Sequence, residues 1–126
     1  MAKILVVDDQ PSITWLMEAV LTAEGHLVAT ADGGPEAWEK MSDFEPDLVI
    51  TDVQMPTING FELVSRIRDR FPGMPCVMMS GDADFEDPGT RSETKRLQIC
   101  ATLPKPFLMA QLIEIVDQSL APERKD

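Results

Sequence analysis

Five side chains in this sequence have the types and positions for phosphoryl chemistry: Asp8, Asp9, Asp52, Ser80 and Lys105. A carboxylate at a strand tip can attack phosphorus and become an aspartyl phosphate. Three carboxylates in one place repel each other by roughly 3 kcal/mol per pair at about 5 Å and an effective dielectric near 20. A hard divalent cation removes that cost. Mg²⁺ suits the purpose, because it takes oxygen ligands and commonly bridges one or two carboxylates to a phosphate. The roles that follow are Asp52 as nucleophile and metal ligand, and Asp9 as second direct ligand. Asp8 acts through a water, and the backbone carbonyl of Gln54 supplies a further oxygen. An ammonium from Lys105 and a hydroxyl from Ser80 would neutralise the moving phosphoryl oxygens.

These residues must be brought together by distant parts of the chain. Ile4-Leu5-Val6-Val7 is a short continuous apolar run ending at Asp8-Asp9, the pattern of a parallel strand covered on both faces. Pro11 opens a helical stretch to about Glu24, with Ile13, Leu16, Met17, Val20 and Leu21 as the inward stripe. A shorter strand is expected over His26–Thr30, and a helix from Pro35 carries Ala37, Trp38 and Met41 inward. Leu48-Val49-Ile50-Thr51 reads as a buried strand with Asp52 at its end. Gly60 begins a helix bearing Phe61, Leu63, Val64 and Ile67, stopped by Pro72-Gly73. Pro75–Met79 is a fourth strand, followed by Ser80-Gly81, and Ile99–Leu103 is a weak fifth one. A last helix from about Phe107 to Leu120 buries Leu108, Leu112, Ile115 and Val116. Residues 82–98 carry few apolar anchors, and Pro88 and Gly89 predict a helix there that is short, displaced or mobile.

Alternating strands and helices predict an α/β fold: a parallel sheet with helices on both faces and right-handed crossovers. Its ligand site lies beyond the carboxyl ends of the strands, where the strand order reverses. All five polar candidates fall at that edge.

Composition narrows the function classes. The chain has 126 residues, with 22 acids against 11 Lys plus Arg and a net charge of -11. Such a balance disfavours direct nucleic-acid binding, and the mixed cluster Arg91, Glu93, Lys95 and Arg96 reads as a solvated helix face. No apolar run is long enough for a membrane span or a signal peptide, which points to a cytoplasmic protein without membrane insertion. Cys76 and Cys100 lie in apolar runs without a CxxC pair and read as reduced core residues. His26 reads as a surface residue. Trp15 lies almost opposite the inward stripe of its helix, and an exposed Trp is a candidate anchor for a partner.

The runs Ile4–Asp9, Asp47–Pro56, Asn59-Gly60, Met79-Ser80-Gly81 and Lys105-Pro106-Phe107 resemble the receiver domain of two-component response regulators, over roughly residues 2–120. The resemblance implies a flavodoxin-like, doubly wound five-stranded sheet in order 2-1-3-4-5 and a receiver domain over residues 1–121, followed by a short polar tail, 122–126. It implies phosphorylation of Asp52 by a histidine kinase or histidine phosphotransfer protein, self-dephosphorylation, and signalling to an unknown downstream protein target by protein contact. It also implies a cis Lys105–Pro106 peptide, and a kinase or phosphotransfer partner at the first helix. Gln54 and Asp82 occupy positions that could reach attacking water. The pattern is broken at Thr102, where family members usually carry Tyr or Phe, and a threonine cannot reproduce the ring packing of the usual aromatic switch. The chain ends soon after the fifth helix, giving the expectation of a single-domain form, although a fragment of a longer regulator would read the same.

Other readings remain in view. A non-switching interaction module or phosphate sink would share the same acceptor residues. An aspartyl-nucleophile phosphatase usually has a second acid two residues after the nucleophile, where Gln54 stands here. A flavin-binding module needs a hydroxyl- and amide-rich loop in place of Asp8-Asp9-Gln10.

Overall fold

Among the described residues ten elements alternate: β1 (Lys3–Val7), α1 (Pro11–Ala23), β2 (Leu27–Ala31), α2 (Gly34–Phe44), β3 (Leu48–Asp52), α3 (Gly60–Arg70), β4 (Cys76–Gly81), α4 (Pro88–Arg96), β5 (Ala101–Lys105) and α5 (Met109–Leu120). The computed structural model describes residues 2–55, 57–81 and 88–120. The five strands are all parallel, in order β2-β1-β3-β4-β5. The expected fold class is therefore observed, and the order reverses between β1 and β3.

The sheet divides the core into two layers, because alternate strand residues point to opposite faces. On one face Leu5, Val7, Val49, Cys76 and Met78 pack against Ala37 and Met41 of α2 and Leu63, Val64 and Ile67 of α3. On the other, Ile4, Val6, Leu48, Ile50, Val77, Met79 and Leu103 pack against Met17 and Leu21 of α1 and Leu112 and Val116 of α5. β3 is buried along its whole length, so the strand that ends in Asp52 is fixed from both sides.

Several boundaries differ from the sequence reading, each for a local reason. β5 runs Ala101–Lys105 rather than Ile99–Leu103. Pro104 fits within it because an edge strand tolerates a residue without an N–H. α5 starts at Met109 rather than Phe107. The Gln111 side chain accepts a hydrogen bond from the Leu108 amide at 2.8 Å, half of a capping box, and turns Leu108 outward. Leu108 is thus 71% exposed rather than core. The buried stripe of α1 centres on Met17 and Leu21, which leaves Leu16 at its margin, exposed. Cys100 precedes β5 and is exposed, whereas Cys76 is buried. Trp38 is half-buried, edge-on to Phe71 at 6.5 Å. His26 is partly buried and accepts a hydrogen bond from the Ala2 amide.

The expectation of a short fourth helix is met: α4 has nine residues and no buried side chain. Its proline fits at a helix start, where the missing N–H has no partner to lose. Just beyond α4, Leu97 enters the core. Arg68 of α3 then clamps the chain, donating to the carbonyls of Leu97 (2.9 Å), Gln98 (3.2 Å) and Met74. Residues 82–87 and the polar tail lie outside the described residues, as does the proposed water-facing Asp82.

Candidate functional site

Asp8 follows β1, Asp52 ends β3, and Lys105 ends β5. Parallel strands deliver all three to one edge. The carboxylate oxygens of Asp8, Asp9 and Asp52 lie within 4.8 Å of one another. Lys105 Nζ donates to Asp8 Oδ2 at 2.7 Å and lies 3.4 Å from Asp52 Oδ2. The other oxygen of Asp8 accepts the Gln10 amide at 2.9 Å. Asp8 and Asp52 are buried and Asp9 is exposed, so Asp9 forms the solvent side of the cluster.

Burial, and then the charge of Asp8, push the Asp52 carboxyl above the usual carboxylate range. Lys105 and the Gln54 amide oppose that push. For Lys105, burial alone lowers the pKa. The hydrogen bond and charge of Asp8, with help from Asp52, outweigh it and raise the net value. The cluster therefore stores like-charge repulsion that a single ammonium only partly relieves. Three carboxylates and one ammonium leave a formal charge of two negative units, the complement of a divalent ion. The donor set is all oxygen, and its spread is slightly wider than the roughly 4.2 Å across an octahedral Mg²⁺ with bonds of about 2.1 Å. These residues fit Mg²⁺.

Ser80 is buried at the tip of β4, where it pairs in register with Pro104, the neighbour of Lys105. Asp52 pairs with Met79, one residue earlier. Gln54 is exposed and reaches Asp52 through its backbone amide. The Lys105–Pro106 peptide is cis. Gly60 contributes what sequence reasoning had seen only as a helix start. A Cβ there would collide with the Asp52 carbonyl oxygen and press on Met78. Its amide bonds to the Val53 carbonyl at 2.8 Å. The helix can approach the acceptor strand this closely only without a side chain.

Thr102 is half-buried on β5, beside an open hollow of ≈ 390 Å³ lined also by Arg91, Thr94, Lys95, Gln98 and Ile99. Arg91 and Lys95 thus flank this hollow, while Arg96 pairs with Glu93 at 2.9 Å.

A five-stranded parallel sheet in this order, with an acidic cluster and a lysine at the reversal point, defines a CheY-like flavodoxin fold, in which ligands sit beyond that edge. Its sequence matches the response regulator receiver domain over residues 4–117. The chemotaxis protein CheY4 of Vibrio cholerae superposes with a TM-score of 0.88 at 33% identity, covering 95% of this chain and 99% of that one. The response regulator TrrA of Thermotoga maritima, solved with Mg²⁺ and BeF, gives 0.83 at 31%, covering 95% and 100%. The DNA-binding transcriptional regulator NtrC of Bradyrhizobium is 37% identical over 119 residues, which is 94% of this chain and 24% of that protein. This chain thus spans about a quarter of the length of the curated relatives it matches.

The chain belongs to the response regulator receiver domain family. It is a signalling domain of two-component systems, a family that binds Mg²⁺ at an acidic aspartate cluster and works with histidine kinases or phosphotransfer proteins. Among the described residues, no helix is long and apolar enough to cross a membrane.

Proposed function

We propose that Asp52 is the phospho-acceptor, taking its phosphoryl group from the phosphohistidine of a kinase or phosphotransfer protein. The observation that carries this reading is the Asp52 carboxylate at a strand tip, with two further carboxylates within 4.8 Å and Lys105 Nζ at 3.4 Å. An Asp52 oxygen attacks phosphorus in line. The O–P bond forms as the P–N bond to the imidazole breaks, and its electron pair returns to nitrogen. Lys105 meets the charge on the phosphoryl oxygens, as does the Ser80 hydroxyl at the neighbouring tip. Mg²⁺, when bound, neutralises both the carboxylates and the phosphoryl oxygens. Asp9, Asp52 and the Gln54 carbonyl would hold the ion directly, and Asp8 would act through water while anchoring Lys105.

The partner meets α1. Trp15 is 70% exposed there, and Leu108 and Met109 are exposed apolar side chains at the start of α5. Trp15→Ala slows transfer from the phosphorylated partner while leaving phosphorylation by a small-molecule donor unchanged. Equal transfer rates for both proteins would remove Trp15 from the interface.

A second reading, a receiver that accepts phosphate without conventional switching, is favoured by one observation: Thr102 leaves a hollow between α4 and β5. NMR spectra with Mg²⁺ and beryllofluoride separate the two. Changes spreading through 88–103 indicate switching by another route, and changes confined to the strand tips indicate a phosphate sink. No change in wild type, or the same change in Asp52→Asn, would contradict the assignment of Asp52 itself.

A further inference from the structure

We propose that the groove between α2 and α3 is a binding site for a nucleoside phosphate. The base would stack on Trp38, and Arg66 and Arg70 would hold the phosphate. The groove has a volume of ≈ 290 Å³ and is lined by Trp38, Arg66, Asp69 and Arg70. It lies toward the C-terminal end of α3, up to about 15 Å along the helix from Gly60 and the acceptor site.

The arginines carry the argument. In an acidic chain a basic side chain finds partners easily, and most described ones here have them. Lys3, Lys40, Arg68, Arg96 and Lys105 all make hydrogen bonds or ion pairs. Arg66 and Arg70 make neither with the described residues, although Asp69 sits between them in sequence. Four residues apart on one helix, they project side by side about 6 Å apart. Two adjacent guanidinium forks match a phosphate, whose tetrahedral oxygens can accept from both. Arg68, two residues from each, faces away and is fully used as the clamp on Leu97 and Gln98.

Trp38 separates a nucleotide from a bare anion. Its half-buried indole has the Phe71 ring edge-on at 67°, which steadies the indole where it lines the groove. An aromatic face beside paired cations suits a ligand that has both an aromatic ring and a negative group. The volume admits one base and its sugar, at the small end of ligand pockets, so a mononucleotide fits and a dinucleotide does not. The Asp69 carboxylate can accept from a ribose hydroxyl or an exocyclic amine.

The test is NMR titration of the full chain with ADP, GDP, adenosine or pyrophosphate, with EDTA present to keep bridging cations off the acidic cluster. The expected result is a saturable shift of the Trp38 indole and of the Arg66 and Arg70 amides with ADP or GDP. Adenosine and pyrophosphate should bind at least about tenfold more weakly, since each lacks one half of the recognition. Arg66→Glu and Arg70→Glu, both at exposed positions, should lose at least about tenfold in affinity with the rest of the spectrum unchanged. Trp38→Leu should bring nucleotide and pyrophosphate to equal affinity. Three results would overturn the proposal: no saturable shift at these residues, pyrophosphate binding as well as ADP and GDP to the wild type, or shifts that persist in both arginine variants. A polyglutamate peptide binding there in preference to the nucleotides would reassign the groove to an acidic protein partner.

Discussion

The acceptor edge of the sheet and the fourth helix are built to different standards. At the acceptor edge, Asp8, Asp52 and Ser80 are buried at the carboxyl ends of strands that are themselves buried. α4, by contrast, has no buried side chain, and the chain is anchored just beyond it, where Leu97 enters the core and Arg68 grips the carbonyls of Leu97 and Gln98. The charged site needs fixed geometry, because its repulsion and its attraction both depend on separations of a few ångströms. A helix with no buried side chain has little apolar burial to lose, so it is free to respond to what happens at the acceptor edge.

Core truncation sharpens that contrast most. Ile67→Ala in α3 should cost about 2–5 kcal/mol. Lys95→Ala in α4 should stay within about 0.5 kcal/mol. Urea unfolding of both variants checks the pair, and equal losses would end the distinction. Hydrogen exchange should give the same order, with the amides of α4 opening well before those of α3. Strong protection across 88–96 would contradict it.

Charge at the acceptor edge should be the next effect in size. Without Mg²⁺, Asp52→Asn removes one member of a repelling trio and should raise the melting temperature at neutral pH. The gain should shrink in acid: the folded-state pKa of Asp52 is raised, so the cost of its charge is present above that value and absent once the carboxyl is protonated in both states. Mg²⁺ should stabilise the wild type more than Asp52→Asn, and thermal melts with and without the ion report this. Lys105→Met should bind Mg²⁺ more tightly than wild type, because a competing cation has gone.

The smallest effect separates the two thiols. Burial pushes the Cys76 thiol up to about 12, while Cys100 is exposed. Iodoacetamide at mildly alkaline pH should label Cys100 and spare Cys76 in the folded protein, as peptide mapping would show.

Much of this was legible in the residues themselves. Ile4–Val7 and Leu48–Thr51 are continuous apolar runs, and only a sheet covered on both faces makes use of such runs. Once the sheet is parallel, Asp8, Asp52, Ser80 and Lys105 must share an edge. What stayed hidden depends on neighbours distant in sequence. Nothing around Leu108 announces that Gln111 will cap its amide and turn it outward. The tight approach of Gly60 to Asp52 needs the α3-to-β3 distance, and the three carbonyls held by Arg68 come from two segments, Met74 before β4 and Leu97-Gln98 after α4. The groove beside Trp38 exists only when α2 and α3 lie side by side, and their sequence periodicity gives each helix's inward face without its neighbour.

The central claim is that one carboxylate at the tip of β3 receives the phosphoryl group. Peptide mass spectrometry after incubation with acetyl phosphate and Mg²⁺, under conditions that preserve acyl phosphates, tests it directly. A single adduct on the peptide containing Asp52, absent in Asp52→Asn and without EDTA-resistant formation, is the result expected. An adduct on another residue, or none on Asp52 while an authentic receiver is modified in parallel, would contradict it.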